Sequence, residues 1–381
     1  MYTKTPPMGW NSWNTFGPQP TDSLVRETAD AMVSLGYLDA GYDYVIIDDG
    51  WMLPDRDENG LFVADPEKFP YGIRALADYV HSKGLKFGIY SCAGTRTCAR
   101  YPGSFDHDFS DARQFAQWHV DYLKYDFCNF PSTANCRQRY QTMSMALRAC
   151  GRDIYFAACN WGLHSPELWM RSAGVNSYRS TGDIMDNFTS AATIAQSQLD
   201  LLHCSAAPCF NDMDMLTVGM FGKGHVGLND SGESVDVARL EQEYVTQFAL
   251  WACMGSALII GADIRAMSPS MRSLLQNKEL IAINQDEECR SPYMVSREGA
   301  RFCFLKHLSD HTVALVYANL SDEQDEVDCI FADFGLPYTS GIKLKLHDIL
   351  SGEEAGMFTD HCPLEIPAHG CRVFKASFVT A

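Results

Sequence analysis

The stretch Asp121-Tyr-Leu-Lys-Tyr-Asp-Phe-Cys128 decides how this chain is read. It begins as a short apolar strand and ends with Lys124 and Asp126 two residues apart, a spacing that puts both side chains on one face of a strand. In a parallel barrel Asp126 would lie at the C-terminal strand end, where such folds carry their chemistry. An ammonium beside a carboxylate lowers its pKa and keeps it ionised at neutral pH. That suits a nucleophile or a cation stabiliser and suits a general acid badly. Taken alone, a Lys-x-Asp pair is more often a structural ion pair, so the surrounding stretches have to decide.

Working outward, Tyr42-Asp-Tyr-Val-Ile-Ile-Asp-Asp-Gly-Trp51 holds a continuous apolar run ended by polar groups. Such a run reads as a strand buried on both faces, the mark of a parallel sheet. Asp48 and Asp49 stand at its C-terminal end, where Asp-Gly would also form a turn. Further strands are read at 85–92 with Tyr90 near the end, at 153–161, at 176–184 ending in Arg179 and Asp183, at 209–216, and at 255–261. Helical spacing lies between them. Leu24, Thr28, Met32 and Leu35 share one face behind a Thr21 or Asp22 cap, and Pro70 to Gly84 is amphipathic with a glycine stop. Helices are also read at 109–119, 134–149, 165–172, 190–203 and 236–252.

Strand and helix alternate about eight times over some 270 residues, the rhythm of a (β/α)8 TIM barrel. A doubly wound open sheet is the runner-up, but no G-x-G-x-x-G or G-x-x-x-x-G-K follows any strand, so no nucleotide cofactor is supported. The opening Thr5 to Asn14 reads as a turn that presents Trp10 and Trp13, as core or as a flat platform for a sugar ring. The barrel is assigned to 1–288. Beyond it, short strand-like segments separated by turn residues indicate a C-terminal antiparallel β-sandwich over 289–381.

With 381 residues, 46% hydrophobic and 12% aromatic, the chain can bury a large core. Its net charge of −18 argues against nucleic acid and anionic membrane surfaces, which need clustered Lys and Arg. No apolar run is long enough to span a bilayer. No secretory leader is visible at Met1, so a cytoplasmic location is the expectation unless a leader has been trimmed. The 14 cysteines are irregularly spaced, without C-x-x-C, and several (Cys150, Cys253, Cys303, Cys329) read as small buried hydrophobes. His307 and His311 form the one H-x-x-x-H, in a polar turn, so no metal is implied. The oligomeric state is left open, a homo-oligomer included.

The strand ends together carry Trp13, Asp48, Asp49, Tyr90, Lys124, Asp126, Arg179, Asp183 and Asp214, all converging on one barrel mouth. Carboxylates accept hydrogen bonds from vicinal hydroxyls, and aromatics cover the C–H face of a sugar. Several ordered motifs add a resemblance: Met8-Gly-Trp-Asn-Ser-Trp13, Ile47-Asp-Asp-Gly-Trp51, Gly88-Ile-Tyr90, Lys124-Tyr-Asp-Phe-Cys128, Arg179-Ser-Thr-Gly-Asp-Ile184, Asn211-Asp-Met-Asp-Met215 and Ser256-Ala-Leu-Ile-Ile-Gly-Ala-Asp263. In this order, over nearly the whole chain, they resemble the α-galactosidases of glycoside hydrolase family twenty-seven.

The resemblance implies a retaining exo-glycosidase without a cofactor, acting on small-molecule α-galactosides, with Asp126 as nucleophile and Asp183 as acid/base. Arg179 by itself would lower the Asp183 pKa, so burial and the Asp126 charge are expected to oppose it. The resemblance further puts Asp48, Asp49 and Lys124 on the 4-, 6- and 3-hydroxyls of galactose. It places Trp13, Tyr90, Cys98, Arg179 and Asp214 around the pocket and matches Cys98 and Cys128 to a disulfide pair. In Cys159-Asn-Trp-Gly-Leu163 the sequence departs from the family: Asn160 replaces the usual Glu that meets the 2-hydroxyl. Leu163 would still obstruct an N-acetyl group. Galactose is the favoured sugar, with α-N-acetylgalactosaminide and β-L-arabinopyranoside as alternatives within the family. Two rivals lie outside it. A catalytically dead sugar-binding protein is disfavoured by the presence of both carboxylates. A metal-dependent hydrolase would need several histidines at strand ends, where only His164 lies close.

Overall fold

The computed structural model of the chain describes residues 3–227 and 236–380. Eight parallel strands form one sheet: β1 (Met8–Asn11), β2 (Tyr44–Ile46), β3 (Lys86–Cys92), β4 (Tyr122–Asp126), β5 (Tyr155–Cys159), β6 (Ser177–Arg179), β7 (Phe210–Asp212) and β8 (Leu258–Ile260). Their order is β7-β6-β5-β4-β3-β2-β1-β8. Leu216, just beyond β7, bridges in parallel to Ile260 of β8. Its N–H donates to the Ile259 carbonyl at 2.8 Å and its carbonyl accepts from the Gly261 N–H at 2.9 Å, which joins the two ends of the sheet. This is the expected (β/α)8 barrel.

The strands read as unbroken apolar runs because both faces are covered. Val45, Ile47, Phe87, Ile89 and Leu123 face the helical shell, while Tyr44, Tyr122, Tyr155, Ala157 and Ile259 fill the interior as a separate cluster. The rings of Tyr122 and Tyr155 stack with centroids 5.0 Å apart. On β4 the period of two carries this inward face from Tyr122 to Lys124 and on to Asp126, so an aromatic floor lies beneath the charged pair.

The opening stretch departs from its reading as a turn. Met8–Asn11 is a strand, paired in parallel with both β2 and β8, and it supplies the eighth member of the barrel. Four residues including a glycine and an asparagine carry no strand pattern of their own. Gly9 is there for space: a Cβ on it would lie 2.5 Å from the Tyr44 carbonyl oxygen of the neighbouring strand.

The helix Asp22–Ser34 starts at the Thr21 hydroxyl, which accepts the Leu24 N–H at 3.2 Å. The helix expected at 165–172 is broken into a 3-10 turn, Pro166–Leu168, and a single α turn, Met170–Ala173, stopped by Gly174 at φ 83°. After the last barrel helix, Lys278–Asn284, the chain becomes antiparallel. Its strands are β9 (Tyr293–Glu298), β10 (Arg301–His307), β11 (Val313–Asn319), β12 (Asp325–Ile330), β13 (Ile342–Asp348), β14 (Glu353–Phe358), β15 (His361–Ile366) and β16 (Cys371–Thr380). They form a six-stranded sheet, β14-β13-β16-β11-β10-β9, with β12 and β15 as a separate pair. Cys303, Leu305, Leu315, Tyr317, Leu346 and Phe374 form a core between the two. β9 and β14 escape a sequence reading because most of their residues are exposed, whereas β15 does alternate, with Cys362, Leu364 and Ile366 covered, but is short and interrupted by Pro363. Among the described residues no helix is long and apolar enough to cross a membrane.

Candidate active site

The C-terminal mouth of the barrel holds a cavity of about 310 Å³. Ten residues singled out in the sequence line it: Trp13, Asp48, Asp49, Tyr90, Cys98, Lys124, Asp126, Arg179, Asp183 and Asp214. Trp13 follows β1, where its N–H donates to Asn11 Oδ1 at 2.8 Å. Asp48 and Asp49 follow β2, and Tyr90, Lys124 and Arg179 project from β3, β4 and β6. Asp214 lies two residues past β7 at φ 76°, a left-handed conformation uncommon outside glycine.

Two buried ion pairs organise these groups. Lys124 Nζ donates to Asp48 Oδ2 at 2.8 Å, and Asn11 Nδ2 donates to the same oxygen at 2.8 Å. The expected partner of Lys124 was Asp126, on its own strand. Its ammonium instead reaches past β3 to Asp48, just beyond the end of β2, because an inward side chain meets its neighbours' strand ends as readily as its own. Burial acts to lower the Lys124 ammonium, but the charges of Asp48 and then Asp126 outweigh it and hold the pKa above its usual range. The second pair centres on Arg179, which is 3% exposed. Its Nη1 meets Asp214 Oδ1 at 2.6 Å, its Nη2 meets Asp183 Oδ1, and its Nε donates to the Thr181 carbonyl at 3.0 Å.

Asp126 is held by neutral donors: the Phe127 N–H reaches Oδ1 at 2.8 Å and the Tyr90 hydroxyl reaches Oδ2 at 3.0 Å. Burial pushes its carboxyl above the usual range, with Lys124 acting in the opposite direction. This corrects the expectation of a depressed pKa, since desolvation outweighs an ammonium that is bonded elsewhere. Burial likewise raises Asp49 to about 6, against the Ala99 N–H that donates to it at 2.8 Å, and raises Asp214 against Arg179. Four buried carboxyls and Asp183 at the rim thus face two cations, a surplus of negative charge suited to stabilising a positive charge that develops on a bound ligand.

Asp183 differs from the expectation of a buried acid, since its side chain is 65% exposed at the rim. It follows β6 by four residues, beyond the part of the strand that the barrel encloses. Cys98 and Cys128 are joined in a disulfide, with the Cys98 sulfur 4.0 Å from Asp126 Oδ2. Asn160 and Leu163 do not line the cavity. The Asn160 amide turns back to donate to the Leu163 carbonyl, around Trp161 at φ 55° and Gly162 at φ 77°, and Leu163 is 48% exposed. Sequence reasoning missed the cavity residues Asn14, Ile184, Met185, Met215, His225 and Val226. Of these, Asn14, Ile184 and Met215 stand next to residues that were found. Nothing in the sequence pattern pointed to His225, which arrives from the segment after β7. Asp186 and Asp212 hold loops: Asp186 accepts from the Gly222 N–H at 2.6 Å and the Tyr244 hydroxyl at 2.9 Å, and Asp212 accepts from the Asp214 N–H at 2.9 Å.

Two clusters of potential metal ligands occur among the described residues. Cys98, Asp126 and Cys128 lie close enough together, but both sulfurs are spent in the disulfide. Asp78, His81 and His119 cluster on the helical shell, where His81 and His119 are paired with Asp121 and Asp78.

Lys124→Met would leave Asp48 buried with one cation removed. The expected result is a loss of about 3–5 kcal/mol of stability in urea titrations. A loss below about 1 kcal/mol would show that Asn11 and backbone donors suffice for Asp48.

A parallel barrel whose mouth combines paired carboxylates, buried cations and a rim tryptophan defines a carbohydrate-processing barrel enzyme. The sequence pattern of the alpha galactosidase A family matches residues 5–286. The alpha-galactosidase of Cyamopsis tetragonoloba is 40% identical over 97% of this chain and 86% of its own. Alpha-galactosidase I of Mortierella vinacea superposes with a TM-score of 0.89 at 31% identity, covering 99% of this chain and 98% of that one. The alpha-galactosidase of Saccharomyces cerevisiae with raffinose superposes with a TM-score of 0.89 at 27% identity, covering 99% and 98%. The chain belongs to the alpha-galactosidase family, glycoside hydrolase family twenty-seven, and is a glycoside hydrolase.

Proposed function

We propose that this enzyme releases terminal, non-reducing α-D-galactosyl residues from oligosaccharides or small glycosides by double displacement. The observation that carries the reading is the contrast between two carboxyls on one cavity. Asp126 is buried and fixed by two donors, whereas Asp183 stands at the rim, where a leaving group and water can reach it. In the first step an Asp126 oxygen bonds to the anomeric carbon as the glycosidic C–O bond breaks, and Asp183 gives its proton to the departing oxygen. In the second, Asp183 takes a proton from water while the water oxygen displaces Asp126. Such a mechanism wants the carboxyls roughly 5–5.5 Å apart, and the Asp183 charge acts to raise the Asp126 pKa.

Asp48 and Asp49 are placed to accept from the 4- and 6-hydroxyls, and Lys124 to donate to the 3-hydroxyl. Trp13 offers its face to the ring, and Tyr90 and Asp214 complete the wall. The cavity lining contains neither Asn160 nor Leu163. Turnover of p-nitrophenyl α-galactoside, α-N-acetylgalactosaminide and β-L-arabinopyranoside, measured side by side, tests the specificity. The α-galactoside is expected to win, with α-galactose the first anomer released by NMR. Preference for another sugar would overturn the specificity, and β-galactose released first would overturn the double displacement.

A further inference from the structure

The cavity rim carries an imidazole that the mechanism does not use. His225 is exposed, lines the cavity, and lies edge-on to Trp13, with ring centroids 4.9 Å apart at 77°. Among the described residues its ring nitrogens have no hydrogen-bond partner. Its backbone is nonetheless fixed: the His225 N–H donates to the Thr15 carbonyl at 3.1 Å and the Val226 N–H to the Asn14 carbonyl at 3.0 Å. The ring has room because residue 17 is glycine, at φ 52°; a Cβ there would lie 2.9 Å from the imidazole.

We propose that His225 forms the leaving-group subsite and that it selects a saccharide leaving group over an aryl one. The inference rests on the α-galactosidase reading above. A general acid marks the side of the cavity from which the aglycone departs, and His225 is tied to that side. The Asp186 N–H, three residues beyond Asp183, donates to the Val226 carbonyl at 3.1 Å, and the Gly222 N–H returns to Asp186 Oδ2 at 2.6 Å. The two loops therefore form one rim. A neutral imidazole offers one donor and one acceptor, which suits the hydroxyls of a second sugar. Nitrophenyl, without hydroxyls, has little to give it.

The test compares kcat/KM for raffinose with kcat/KM for p-nitrophenyl α-galactoside in wild type, His225→Ala and His225→Asn, with Tm measured for each. The ratio is expected to fall roughly five- to tenfold in His225→Ala, the scale of one lost hydrogen bond to the substrate. It should recover at least in part in His225→Asn, which keeps a donor and an acceptor. An unchanged ratio, whether both values hold or both fall together, would overturn the assignment. Failure of the wild type to hydrolyse either substrate would instead overturn the α-galactosidase reading, and this subsite with it.

Discussion

Asp126→Gly is expected to lose turnover by roughly 10⁴-fold or more, because the proposed mechanism makes Asp126 the group that bonds to the anomeric carbon. Azide should restore turnover and yield β-galactosyl azide, since a small anion can occupy the vacated space and attack the face assigned to Asp126 in the proposed mechanism. Turnover near that of wild type would sink the nucleophile. The fold should survive the loss. Burial raises the folded-state pKa of Asp126 above its unfolded value, so its charge opposes folding at pH 7, and that cost disappears as pH falls through the folded pKa. Asp126→Asn keeps an acceptor for the Phe127 N–H while removing the charge. At pH 7 it should therefore be at least as stable as wild type in thermal melts, with the difference closing at acid pH.

Asp183→Ala is expected to separate substrates by their leaving groups. Raffinose needs its departing oxygen protonated, so kcat/KM should fall roughly 10²–10⁴-fold, the usual worth of a positioned acid. Nitrophenolate leaves without that help, and its first step should suffer far less. The second step still lacks its base, so a burst of nitrophenol followed by slow turnover is the expected trace. Equal losses on both substrates, without a burst, would remove Asp183 from the acid/base role. The exposure of Asp183 adds a structural corollary: the substitution should leave Tm within about a degree of wild type, since it removes only a rim contact to Arg179, which keeps its pairing with Asp214.

Much of this site is legible in the sequence. The parallel strands of a barrel all point the same way, so every polar residue ending an apolar run is delivered to one mouth. That logic is local and one-dimensional, and it brought Asp48, Asp49, Tyr90, Lys124, Asp126, Arg179 and Asp214 together correctly. It failed where a strand had too little pattern to be seen. β1 is four residues long and holds its place through pairing with β2 and β8 rather than through propensity. It failed again at Asn160, which follows β5 directly, yet a left-handed turn at Trp161 and Gly162 folds its amide back on Leu163.

The sequence alone thus determined the alternation of strand and helix, the barrel that follows from it, and which residue types crowd its mouth. These depend on apolar runs and on the helical period of 3.6 residues, which are local features of the chain wherever a strand or helix has enough pattern to show them. Only the tertiary structure decided how those residues share their charges. Lys124 pairs with Asp48, 76 residues away, rather than with Asp126 on its own strand. Asp183 is left at the rim, and His225 comes to lie beside Trp13. Partner and exposure are set by which distant strand ends meet and how much water they exclude, and neither quantity is carried by a neighbour in sequence.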